Sequence, residues 1–295
     1  MSTTGRTLAQ AKVNLALRIL GLNADGYHSI ETVFVRLELA DSVTVRVTDG
    51  ARSLRCDAMS GESPRNNLGF RAATLFAEET GWPRGFEIVI EKLIPIGGGL
   101  GGGSADAAAV LRILNALSPR RLTGEQLLGL AGKLGADVPF LTSDHLMALA
   151  WSRGEKLEPL VPLPSRNLAL IVPSRGMSTA DAYAMVAASR GRYDPRPRSL
   201  MPAMFASWDQ AARHSVNEFE PIIGDAFPDL RPWLEVGARL GLLTRLSGSG
   251  STVFLVDAGT KDSLQAAIAS LELDGNTTVI RTRTAASVVP VEILD

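Results

Sequence analysis

The sequence predicts an α+β protein built as two domains. Three observations carry that prediction. Strand-like stretches alternate apolar and polar residues, as half-exposed antiparallel strands do. The helix that begins near Ser104 is followed by a second helix at Thr123–Leu134, where a βαβ unit would need a strand. A proline-spaced stretch from Pro159 to Pro164 divides the chain, so residues 1–164 and 165–295 are taken as the two domains.

In chain order, Ala11 to Leu20 reads as a strand with Val13, Leu15, Leu17 and Ile19 on one face. Lys12, Asn14, Ala16 and Arg18 share the other face, which taken alone reads as solvated. Gly21 to His28 is a turn-rich loop ending in Tyr27 and His28, an aromatic and a titratable donor suited to gripping a flat ligand. Ile30 to Val47 is strand, with Asp41-Ser42 as a turn. Leu68 to Thr80 is a helix stopped by Gly81 and Pro83. Phe86 to Glu91 alternates as a strand. In the second half, strands are expected at 145–151, 167–172, 242–246, 252–256 and 277–284. Helices are expected at 178–189, 204–214, 230–240 and 261–271, and Arg190 to Pro202 is a surface loop.

Bulk composition narrows the function. The 295 residues are 45% hydrophobic and 21% charged, as in a soluble globular protein. A net charge of −1 gives no field for nucleic acid, and no apolar run approaches the roughly 20 residues of a membrane span. The N-terminus has no apolar core of a signal peptide. Cys56 is the single cysteine, and His28, His145 and His214 are scattered, so neither a disulfide nor zinc is expected. The expectation is a cytoplasmic protein acting on a small molecule, as a monomer or weak homodimer, with no nucleic-acid or membrane partner.

The chemistry concentrates at residues 95–105. Six of the seven residues from Gly97 to Gly103 are glycine, and a helix with good formers follows at once. Ser104 reads as its cap and Asp106 as a charge in its first turn. A glycine loop feeding a helix N-terminus presents free N–H groups and the positive end of the helix dipole to an anion, here read as a nucleotide phosphate. Gly97, Gly99 and Gly102 satisfy a dinucleotide fingerprint, but the alternating strand before them and the helix after them do not suit it. No Gly-Lys-Ser/Thr follows, so the loop is not a P-loop. Farther on, Gly135 breaks the second helix, and Pro139 is expected to push Val138 out of helical conformation. Asp137 then sits in a tight apolar turn, as a cap or as a chemical group.

Three stretches, Ala11-Lys-Val-Asn-Leu15, Gly99-Leu-Gly-Gly-Gly-Ser-Ala-Asp106 and Leu246-Ser-Gly-Ser-Gly-Ser-Thr-Val-Phe254, resemble the signature motifs of the GHMP kinase superfamily. Asp25-Gly-Tyr-His28 and Gly135-Ala-Asp-Val-Pro139 resemble the branch whose acceptor is a cytidine diphosphate derivative of methylerythritol. Ser178-Thr-Ala-Asp-Ala-Tyr183 and Val216-Asn-Glu-Phe-Glu-Pro221 echo it more weakly.

The resemblance implies an N-terminal domain like ribosomal protein S5 domain 2, a ferredoxin-like C-terminal domain and a substrate cleft between them. It implies an ATP-dependent kinase of non-mevalonate isoprenoid biosynthesis that phosphorylates the acceptor's 2-hydroxyl. Pro95, Ile96, Gly97, Gly98, Gly99, Leu100, Gly101, Gly102, Gly103, Ser104 and Ala105 would wrap the ATP phosphates, with Mg²⁺ bridging them and Ser104 touching the metal. Lys12 and Asp137 would be the catalytic pair. Tyr27 and His28 would hold the cytosine, and Asn14 would sit beside the diphosphate. Ser247 to Ser251 would close the site from the second domain. A homoserine or mevalonate kinase, or a nucleotide-binding protein with an inactive site, are the alternatives. Gln10 stands where the family usually has proline, and Thr142-Ser-Asp-His145 where it often has a Gly-Gly turn.

Overall fold

A computed structural model describes residues 3–22, 28–59, 63–190, 196–257, 263–271, 273 and 275–294. Two long strands, β1 (Thr4–Leu22) and β2 (His28–Thr48), pair antiparallel from Thr4↔Arg46 to Leu22↔His28. β3 (Arg52–Cys56) and β4 (Gly85–Glu91) extend one end of β2. β5 (Met147–Ser152) pairs with the other end, and β6 (Lys156–Pro159) pairs with β5. On β4, Phe86, Ile88 and Ile90 are buried while Glu91 faces out, as the alternation predicts.

Four helices cover this sheet: α1 (Leu68–Thr80), α2 (Gly102–Leu117), α3 (Gly124–Leu134) and α4 (Val138–Thr142). The Asn67 side chain caps α1, and Gly81 ends it in the left-handed conformation at φ 72°. Thr123 and Gln126 form a capping box on α3. α2 is buried along most of its length, which is why its first half is alanine.

The second unit starts at β7 (Asn167–Val172), followed by β8 (Leu243–Leu246), β9 (Val253–Val256) and β10 (Thr278–Arg283). Their order β10-β7-β9-β8, antiparallel throughout, is the ferredoxin-like arrangement. α5 (Thr179–Arg190), α7 (Glu220–Ala226), α8 (Leu230–Arg239) and α9 (Ser263–Ala269) line one face, with α6 (Trp208–His214) ahead of α7. The other face of that sheet packs on the first unit. Ala169 and Ile171 of β7 join the helical core, while Leu168 and Leu170 join the first core. The chain then returns, and β11 (Glu292–Leu294) pairs with β1 in the first sheet.

Several local expectations are corrected. β2 runs unbroken through Asp41-Ser42 because Asp41 is an internal anchor and not a turn residue. Its fully buried carboxylate accepts hydrogen bonds from the backbone N–H of Leu93 (2.6 Å) and Ile94 (2.8 Å) and pairs with Lys92. α2 starts two residues before Ser104, at Gly102, with Gly101 as its cap. Asp106 falls beyond the first turn and is buried beside Lys92. Val138 is helical because Pro139 lies in the first turn of α4, where no N–H is missed. Residues 204–214 divide into a 3-10 turn, Pro202–Phe205, and α6. The Lys12 and Asn14 face of β1 is not solvated, since both residues are buried. Arg196 to Met201 runs without helix or strand up to the turn that begins at Pro202; the loop's earlier part, 191–195, lies outside the described residues.

Replacing Asp41 with Ala strips two backbone donors and the Lys92 ammonium of their shared partner. The expected cost is about 3–5 kcal/mol, read as a lower urea midpoint; a change within experimental error would remove Asp41 as the anchor.

Candidate functional site

The glycine loop between β4 and α2 is held by its carbonyls. Lys12 N–H donates to Leu100 O (3.0 Å), Lys12 Nζ to Gly99 O (2.9 Å) and Thr252 N–H to Gly98 O (3.2 Å). Ser247 Oγ also donates to Gly99 O (3.0 Å). With the carbonyls tied back, the N–H groups of the first turn of α2 lack intrahelical acceptors, and no side chain caps them. Gly99 has to be glycine. Its φ is +76°, and a Cβ there would lie 2.0 Å from Ser247 O.

Lys12 is buried beside this loop. Its ammonium donates to Asn14 Oδ1 (2.8 Å) as well as Gly99 O, and lies 3.3 Å from Asp137 Oδ2. Asp137 stands at the N-cap position of α4 but its side chain caps nothing. Its carboxylate is 26% exposed, against 4% for the Lys12 side chain, so Asp137 is the member of the pair that opens to the cleft. Asn14 Nδ2 in turn donates to Thr32 Oγ1 (2.8 Å).

A cleft of about 370 Å³ brings together Lys12, Asn14, Asp137, Ser104, Tyr183 and Ser249, drawn from both units. Behind the loop, a smaller cavity of about 180 Å³ is lined by Asn66, Asn67, Leu68, Lys92, Asp106 and residues 95–103. Asn217 Nδ2 donates to Leu246 O and Gly248 O, both at 2.8 Å, which pins the 247–251 loop over Gly99. His28 stacks on Tyr183, with ring centroids 4.6 Å apart and planes 20° apart. Burial holds the His28 imidazole below its usual pKa, favouring the neutral ring. Tyr27 lies outside the described residues.

Sequence reasoning missed the residues that position this site. Arg36 is buried and donates to the carbonyls of Phe140 (3.0 Å) and Ser143 (3.0 Å), fixing the C-terminal end of the short helix that Asp137 begins. Burial pulls its pKa down to about 9. Nothing in the alternating pattern separates it from a solvated arginine. Gln10 clamps the C-terminal segment, donating to Ser287 O and accepting from Val289 N–H, both at 3.1 Å. Tyr183 ends the Ser178–Tyr183 echo, which was its only signal.

Asp106 shares the Lys92 ammonium with Asp41, and its Oδ1 has no partner among the described residues. Burial raises its pKa from 3.8 to about 7. A carboxyl raised above its unfolded value favours the fold when protonated, so its contribution falls as pH rises toward and through 7. Relative to Asp106→Asn, the wild-type chain is therefore expected to gain stability as pH drops from about 7.5 to 5. Urea midpoints of the two proteins that run parallel across that range would refute this.

Comparison with known proteins matches residues 67–147 to the GHMP kinases N terminal domain and 185–273 to the GHMP kinases C terminal domain. A relative from Geobacter sp. (strain M21), named 4-diphosphocytidyl-2-C-methyl-D-erythritol kinase, is 38% identical over 84% of this chain and 87% of its own. A relative of the same name from Pelotomaculum thermopropionicum is 37% identical, covering 93% and 96%. Among solved structures, a 4-(cytidine 5'-diphospho)-2C-methyl-D-erythritol kinase superposes with a TM-score of 0.73 at 34% identity, covering 94% of this chain and 98% of that one. A homoserine kinase from Cytophaga hutchinsonii superposes at 0.69 with 18% identity over 100% of this chain and 98% of its own, and shows the shared fold.

Proposed function

Because the chain belongs to the 4-diphosphocytidyl-2-C-methyl-D-erythritol kinases of the GHMP superfamily, an ATP-dependent kinase family, we propose that it phosphorylates the 2-hydroxyl of that substrate. The products are the 2-phosphate and ADP, in non-mevalonate isoprenoid biosynthesis. The observation that carries the reading is the Lys12–Asp137 pair at 3.3 Å, with its carboxylate open to the cleft beside the glycine loop. The inactive-site alternative lacks support while that pair is intact, and 13–18% identity to homoserine and mevalonate kinases speaks only to fold.

In this reading residues 1–164 hold ATP and residues 165–295 close the acceptor side, apart from the returning β11. Residues 95–105 wrap the ATP phosphates, offering the free N–H groups of the loop and of the first turn of α2, and the nucleoside enters the cavity behind the loop. The acceptor lies in the larger cleft, with its hydroxyl at Asp137 and its cytosine at the aromatic end formed by His28 and Tyr183. Asp137 takes the hydroxyl proton as the oxygen attacks the γ-phosphorus. Lys12, held by Asn14 and Gly99 O, stabilises the developing charge. Ser104 and Asp137 bring to one cleft the oxygen donors that Mg²⁺ prefers, so the residues present fit the ion and Ser104 would be its protein contact beside the phosphates. When bound it would neutralise phosphate charge.

Coupled ATP turnover on the cytidylyl substrate, mevalonate and homoserine tests the reading. Turnover confined to the first supports it, and turnover on either of the others overturns the acceptor assignment. Asp137→Asn should lower kcat by about 10²–10⁴-fold with ATP binding retained; near-normal kcat removes Asp137 as base. Tyr183→Ala should raise KM for the cytidylyl substrate about tenfold, with the Kd for ATP unchanged. An unchanged KM would place the base elsewhere.

A further inference from the structure

We propose that a groove on the outer side of the first unit binds an organic phosphate carrying an apolar group, and that its occupancy changes the affinity for ATP. The groove, of about 840 Å³, lies between α1, the edge strand β3 and the end of α3. It is separate from the catalytic cleft and shares no lining residue with it.

Its floor is half-buried and apolar, from Phe70, Leu75 and Leu134. Its rim carries Arg52, Arg65, Arg71 and Lys133 against Glu78. Lys133 is already paired with Glu79 at 3.1 Å, and Arg52 lies over the Phe86 ring. Arg65 and Arg71 make no ion pair or side-chain hydrogen bond among the described residues. Two guanidinium groups left open on one groove match a phosphate, whose oxygens accept their N–H donors in pairs. The rest of the groove favours a ligand that also covers the apolar floor, since bare phosphate leaves that surface in water.

The link to ATP is a shared wall. Ser63, Pro64 and Arg65 line the groove, while Asn66, Asn67 and Leu68 line the cavity behind the glycine loop. These six residues form one continuous, internally bonded turn. Asn66 N–H donates to Ser63 O and Asn67 N–H to Pro64 O, both at 3.0 Å, and the Asn67 side chain then caps α1. The coupling rests on the proposed placement of ATP in that cavity, where a ligand gripping Arg65 acts on a wall of the nucleotide site. By linkage, ATP must change the affinity for that ligand by the same factor.

The binding test uses phenyl phosphate and inorganic phosphate as probes, by calorimetry, with the nucleotide site saturated by a non-hydrolysable ATP analogue. Saturation of that site makes the result independent of the catalytic reading. Phenyl phosphate is expected to bind one site per chain, about tenfold more tightly than inorganic phosphate. The exposed double variant Arg65→Ala/Arg71→Ala should weaken it at least about tenfold. In turnover assays phenyl phosphate should shift KM for ATP at least about threefold in the wild type and not in the double variant. Absence of binding, or equal binding by the double variant, overturns the site. Binding with an unchanged KM for ATP overturns the coupling.

Discussion

The Lys12 ammonium joins three parts of the chain that sequence separates widely. It reaches Asn14 on its own strand, the Gly99 carbonyl in the glycine loop and Asp137 at the start of α4. A buried ammonium left without such partners would be strongly disfavoured. Its satisfaction therefore requires that the loop, the strand and the short helix be in place together. Through Gly99 O, which also accepts from Ser247, the constraint extends to the second unit. The same bonds that neutralise the lysine thus assemble the cleft and turn the Asp137 carboxylate outward.

Two other buried charges support this arrangement from behind. Arg36 reaches the carbonyls at the end of α4, so the helix that carries Asp137 is fixed at its far end. Asp41 takes the N–H groups of Leu93 and Ile94, and with Asp106 shares Lys92, which fixes the strand exit that leads into the glycine loop. Charges of this kind are costly to bury, and removing one partner is more costly still. They set geometry at both ends of the loop–helix assembly, and no side chain caps the N–H groups at the start of α2 in the middle.

The elements with strong local signals were legible. α1 and its Gly81 stop, β4 with its alternation and β7 at 167–172 fall where the pattern places them. Motif residues were legible too, because glycine density, an isolated Asp-Val-Pro and an alternating Lys-Val-Asn are visible without knowing what they face. Less legible was any residue whose role depends on a distant partner. Asp41 reads as a turn residue because Asp-Ser favours turns; what overrides that preference is a pair of N–H groups some fifty positions away. Ser104 reads as a cap because the glycines before it look non-helical, yet α2 begins inside them.

By itself the sequence determined the α+β class, the glycine loop feeding a helix, and the motifs from which the site residues are proposed. The class and the loop follow from composition and short-range spacing, whereas the roles given to Lys12 and Asp137 follow from the resemblance to the GHMP kinases. The tertiary structure alone decided that Lys12 is buried and not solvated, that Asp137 leaves its cap position free for the cleft, and that His28 meets Tyr183 across the two units. Each of these depends on which faces meet when the sheets pack, and burial is a property of that packing that no local pattern of residues encodes.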